Sequence, residues 1–99
     1  MKTTPYLIPY FQKATGCNIV YYPKPVCAPL IGKLSSVVFE EETNTVWFKL
    51  ENFTGKDITL TEPLDWLETK IVNDNIEIFK FLQWRLIIID APLWIDEVV

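Results

Sequence analysis

Apolar and polar residues alternate most cleanly from Val46 to Glu51, where Val46, Phe48 and Leu50 face one way and Trp47, Lys49 and Glu51 the other. A period of two is the signature of a half-buried strand. Before it, Ser35 to Glu40 reads as a strand through Val37, Val38 and Phe39, and Glu42-Thr43-Asn44-Thr45 supplies the turn between the two. After it, Asn52-Phe53-Thr54-Gly55-Lys56 turns the chain into Asp57 to Thr61, where Ile58 and Leu60 share a face. Three consecutive antiparallel strands make a meander, with at least one face meeting solvent or a helix.

Beyond this meander the spacing changes. Leu64, Leu67 and Ile71 line one helical face, Pro63 fits a first turn, Asp65 suits the N-terminal dipole and Lys70 the opposite end. The pattern predicts the principal helix near 62–72, stopped by Asn73-Asp74-Asn75. Between Ile76 and Asp90 helical spacing competes with a high density of β-branched and aromatic residues, which favours two strands, Ile76 to Leu82 and Trp84 to Ile89. Pro92 to Val99 reads as a short helical turn or an edge strand.

Prolines at 5, 9, 23, 25 and 29 shape the first third, because each fixes its own φ and biases its predecessor towards extended geometry. Within it, Tyr10 to Thr15 has room for a turn or two of helix ended by Gly16. Cys17 to Tyr22 reads as a short strand, and Val26 to Lys33 as connection. The fold expected is α+β in one domain over 1–99: a mainly antiparallel sheet of about five or six strands, one principal helix near 62–72, and an extended proline-rich N-terminal segment.

Charge sharpens this division. Residues 1–39 hold four lysines and no acid, whereas residues 40–99 hold all thirteen acids against five cations. All four tyrosines fall in the basic part and all four tryptophans in the acidic part. This predicts a basic Pro/Tyr-rich arm over 1–33 and an acidic Trp-containing body over 34–99. With 49% apolar and 14% aromatic residues, the chain has the composition of a folded domain and not of a disordered one.

The same composition removes several chemistries. There is no histidine, so Ser-His and Cys-His nucleophile systems are ruled out within one subunit, as is a zinc site built from Cys17 and Cys27 with histidine. Glycines only at 16, 32 and 55 leave neither a Walker A loop nor a dinucleotide fingerprint. Glu40 with Glu42 on one face of an extended run, and Asp90 after an apolar run, are the nearest approaches to metal ligands. They read instead as a solvated strand end and a turn cap. No enzyme, cofactor or metal is expected. Nine cations spread thinly over an acidic chain do not suit nucleic acid.

The apolar run from Tyr6 to Phe11 is too short, and too interrupted by Pro9, to open a secretory signal. No stretch approaches the roughly 18–20 apolar residues that span a bilayer. A protein cytoplasmic when synthesised is therefore expected, with free thiols at Cys17 and Cys27 favoured over a disulfide closing the Tyr21–Pro25 loop. What survives is work done by touching other proteins. The leading expectation is a non-enzymatic assembly protein, such as a small structural component of a virion or other multi-subunit particle, in a homo- or hetero-oligomer. The alternative is a small acidic inhibitor or immunity-type protein that masks a partner's surface. Candidate contact residues are Tyr6, Tyr10, Tyr21, Tyr22 and Lys24 in the arm, and Glu40, Glu42 and Trp47 in the body.

Overall fold

The alternation seen in the sequence becomes seven strands in the computed structural model, which describes residues 2–52 and 56–92. A 3-10 turn at Pro5–Leu7 leads into α1, Ile8–Lys13. The strands are β1 Asn18–Tyr22, β2 Leu30–Glu40, β3 Thr45–Asn52, β4 Asp57–Pro63, β5 Leu67–Val72, β6 Asn75–Lys80 and β7 Trp84–Ile88; a 3-10 turn at Leu64–Trp66 joins β4 to β5. The architecture is mainly antiparallel sheet with one short helix, in the order β4-β3-β2-β1-β7-β6-β5.

That order has a geometric consequence. β4 and β5 each stand three antiparallel ladders away from β1, on opposite sides, so they run in the same direction. The chain therefore passes from one edge of the sheet to the other without reversing. β4 and β5 behave as one strand bent at Leu64–Trp66, pairing with β3 before the bend and β6 after it. Counted this way, each strand neighbours the next in sequence and β7 returns to β1. Near the bend the free edge of β5 is taken up by the N-terminus, where Thr3 N–H donates to the Leu67 carbonyl at 3.1 Å. The two buried hydroxyls of Thr3 and Thr69 share a 2.7 Å hydrogen bond.

The core lies inside the curled sheet, and α1 packs onto it. In β2 the inward side switches from Gly32 and Leu34 to Val37 and Phe39 across a bulge between Leu34 and Ser36. One extra residue inverts the side-chain parity of everything after it. Because of this, Leu34 opposes Leu50, Val37 opposes Phe48 and Phe39 opposes Val46, all facing inward. From α1, Ile8, Phe11 and Ala14 complete the interior, and the Phe11 ring lies 5.8 Å from that of Phe48. Gly16 ends this segment at φ 93°, a left-handed conformation that glycine adopts without a Cβ penalty.

Three expectations are corrected. The helix near 62–72 is the end of β4, a single 3-10 turn and β5. Leu64 and Leu67 are buried as its spacing required, but Ile71 is largely exposed and Thr69 is fully buried, which is strand alternation. Ladder bonds to β6 and the seam with Thr3 outweigh helix propensity here, and Asn73, at φ 55°, serves as a hairpin turn instead of a helix stop. The sheet has seven strands and not five or six, since the bend divides what is topologically one strand and β5 replaces the helix. The N-terminal segment is not extended throughout: it carries the helix, β1 sits between β2 and β7 in the middle of the sheet, and Leu30–Lys33, read as connection, opens β2 by pairing with β1. The element expected at Pro92–Val99 lies outside the described residues from position 93, as does most of the turn at 52–56.

Because Phe11 has no exposed surface and closes the interior from α1, Phe11→Ala should destabilise the protein by about 3–5 kcal/mol, measured as a lowered urea midpoint.

Candidate functional site

Two groups of side chains meet where β1 and β6 end and β7 begins, one inside the sheet and one outside. Inside, Glu62 points inward from β4. Lys80 Nζ donates to its Oε1 at 2.8 Å and Trp84 Nε1 donates to its Oε2 at 2.9 Å. Both carboxylate oxygens are thus engaged, by partners on two different strands. The Lys80 ammonium also lies 4.8 Å from the centre of the Trp66 ring, a cation-π contact that ties the β4–β5 bend to β6. Tyr21 meets Trp84 edge-on, with ring centres 6.4 Å apart. Burial first, and the Glu62 carboxylate second, push the Tyr21 hydroxyl above the ordinary tyrosine pKa of 10.0.

Outside, the same strand ends form the floor of an open groove of about 670 Å³. Tyr22 on β1, Arg85 on β7 and Phe79 on β6 are direct cross-strand neighbours. The Arg85 guanidinium stacks 4.5 Å from the Tyr22 ring centre, and its Nη1 stands 3.7 Å from Glu77 Oε1. One wall is the Lys24–Cys27 part of the β1–β2 loop, the other the β6–β7 turn at Phe81–Gln83. Val26 is 99% exposed, Phe81 73% and Leu82 74%. Lys24, Lys70, Lys80 and Arg85 line the groove against the single acid Glu77.

The β6–β7 turn is closed by Gln83 N–H donating to the Lys80 carbonyl at 2.9 Å, and Leu82 within it has φ 59°. Among the described residues, the other non-glycine ones with positive φ are Asn44, Asn73 and Asp90, types that tolerate the left-handed region. Leucine does not, at a cost of roughly 1–2 kcal/mol.

The contact residues expected from the sequence occupy several places. Tyr22 and Lys24 come together at the groove. Tyr21 is in the core, and Tyr10 packs half-buried against it from α1. Tyr6 is 87% exposed on the 3-10 turn before α1. Glu40 and Glu42 are exposed at the β2–β3 turn, where Thr43 Oγ1 donates to Glu40 Oε1 at 2.8 Å. Trp47 is half-buried opposite Val38 on the outer face. Asp90 is exposed, with its N–H bonded to Asn75 Oδ1. Sequence reasoning missed Val26, Lys70, Phe79, Phe81, Leu82 and Arg85. The available signal was negative: Phe81-Leu82-Gln83 contains none of the residues that normally make a hairpin turn.

Cys17 and Cys27 are free thiols, and burial, then Asp90, raises the Cys17 pKa above its ordinary value. Among the described residues no group of three or more Cys, Asp or Glu side chains is placed to hold a metal ion, and no helix is long and apolar enough to cross a membrane. Comparison with protein-family models, with curated proteins and with solved structures gives no match.

Two outcomes follow from the inner cluster. Glu62→Ala should cost about 3–5 kcal/mol, because it leaves Lys80 and Trp84 Nε1 without their acceptor, whereas Glu62→Leu combined with Lys80→Met should cost far less than the sum of the single changes. A double-mutant cycle by chemical denaturation measures this. For Tyr21, the folded state holds its proton more tightly than the unfolded state, so this contribution is fully present below about pH 10 and is lost as pH rises through the folded-state pKa. Tyr21→Phe should flatten that alkaline fall in a stability-versus-pH series.

Proposed function

We propose that the chain is a non-enzymatic assembly protein, a subunit of a multi-component particle, and that it makes contact through the groove between the β1–β2 loop and the β6–β7 turn. The observation that carries this reading is Leu82. An apolar side chain three-quarters exposed, on a backbone conformation that leucine pays to adopt, is wrong for folding on two counts at once. Local choices that oppose the fold gather at working surfaces.

The surroundings support contact with a protein. Phe81 and Val26 extend the apolar surface, and Tyr22 and Arg85 add the aromatic and guanidinium groups enriched in interface hot spots. The floor is preorganised, since Arg85 is held by the Tyr22 ring and by Glu77 before any partner arrives. The N-terminal third contributes to this contact through Tyr22 and Lys24, while Ile8, Phe11, Ile19 and Tyr21 serve the chain's own interior.

Leu82→Gly separates folding from function. Strain relief of roughly 1–2 kcal/mol offsets the roughly 0.5–1 kcal/mol that glycine costs in unfolded-state entropy, so the urea midpoint should hold or rise. The complex recovered under native conditions should shrink, read by light scattering. An unchanged complex mass with Leu82→Gly would remove the groove as the contact.

A further inference from the structure

Resting on the groove reading above, we propose that the occupant of the groove is the β2–β3 end of a second copy of this chain, so that copies join head to tail. The groove is cationic on a protein whose net charge is −4: with the Lys80 ammonium held by Glu62 on the inner side, Lys24, Lys70 and Arg85 face Glu77 alone. Lys24 and Lys70 are exposed and make no ion pair with any described residue. Such a surface repels most of an acidic protein's partners unless they bring carboxylates, and it excludes water favourably only if they also bring apolar side chains.

The β2–β3 end offers both. Glu40, Glu41 and Glu42 are exposed at the turn, and no lysine or arginine occurs between Val38 and Trp47 to neutralise them. Directly behind them on the outer face, Val38 is 54% exposed beside its cross-strand partner Trp47. Carboxylates at the tip and apolar surface behind mirror the groove, where lysines stand at the rim with Val26, Phe81 and Leu82.

Geometry makes the contact intermolecular. None of Glu40, Glu41 and Glu42 lines the groove of its own copy. A single copy therefore carries one groove and one turn that is not seated in it. Joining unlike surfaces is a heterologous contact, which propagates into a ring or a filament instead of stopping at a two-fold dimer.

The test uses light scattering and sedimentation on the full chain, with circular dichroism to confirm each fold. The groove variant is Lys24→Ser, Lys70→Ser and Leu82→Gly; the turn variant is Glu41→Lys and Glu42→Lys, leaving the Thr43–Glu40 bond intact. The unsubstituted chain should assemble in a concentration-dependent way and dissociate as salt rises, because the ion pairs are screened over about 8–10 Å near physiological salt. Each variant alone should need more than about tenfold higher concentration to assemble. An equimolar mixture should form particles of twice the chain mass and grow no further, since only one compatible groove and turn remain. A chain that is monomeric at every concentration, or a mixture that stays monomeric while the unsubstituted chain assembles, overturns the proposal. A turn variant that assembles normally while the groove variant does not overturns the second copy as occupant and leaves the groove reading standing. A groove variant that assembles like the unsubstituted chain overturns both.

Discussion

The fold depends on one bend. Every ladder is antiparallel, and three ladders on each side of β1 leave β4 and β5 pointing the same way, so the sheet returns to itself only if the chain crosses from one edge to the other at Leu64–Trp66. Backbone bonds hold its two ends, Leu64 N–H to the Asn44 carbonyl and Thr3 N–H to the Leu67 carbonyl, and side chains hold it across the interior. Glu62 reaches from the end of β4 to Lys80 and Trp84, the residues that end β6 and begin β7, and Lys80 in turn faces Trp66 in the bend. A buried ion pair contributes little net stability, because desolvating both charges costs nearly what their attraction returns. Its value is directional: a carboxylate with one oxygen committed to each neighbour admits few alternative placements of the bend.

The groove follows from the same arrangement. Once Lys80 and Trp84 are drawn inward, the residues between them must reverse the chain in three positions, and Phe81 and Leu82 have no interior left to enter. The interior is already occupied by Phe11, Phe48 and the inward rows of β6 and β7. Two large apolar side chains are thereby presented to solvent at the rim of a groove whose floor is held by stacking and an ion pair. A rigid floor lowers the ordering cost that a partner would otherwise meet.

The division of charge along the chain does not survive as a division in space. Lys24 from the basic third joins Lys70 and Arg85 from the acidic remainder, and β1 from the basic third lies between β2 and β7. Segregation in sequence becomes, in the fold, a cationic groove at one end of β2 and an anionic turn at the other.

The meander from Ser35 to Thr61, the strand at Cys17 to Tyr22 and the pair between Ile76 and Ile89 were legible in the chain, because a solvated outer face and a buried inner face impose alternation that neighbouring residues alone reveal. A short helical piece was legible before Gly16, but placed at Tyr10 to Thr15, two residues beyond the helix at Ile8–Lys13. The nature of 62–72 was not: Leu64, Leu67 and Ile71 satisfy a helical period, and only the unpaired edges of β3 and β6, together with Thr3 waiting at the seam, turn the segment into two strands and a bend. The bulge in β2 was equally hidden, since the need for it arises from the partner strand. Nor does any local pattern bring Tyr22, Lys24, Lys70 and Arg85 together. Local sequence determined which faces of each element are apolar; the ladders decided which elements meet, because hydrogen-bond partners and buried charges are satisfied across long separations that short-range periodicity does not encode.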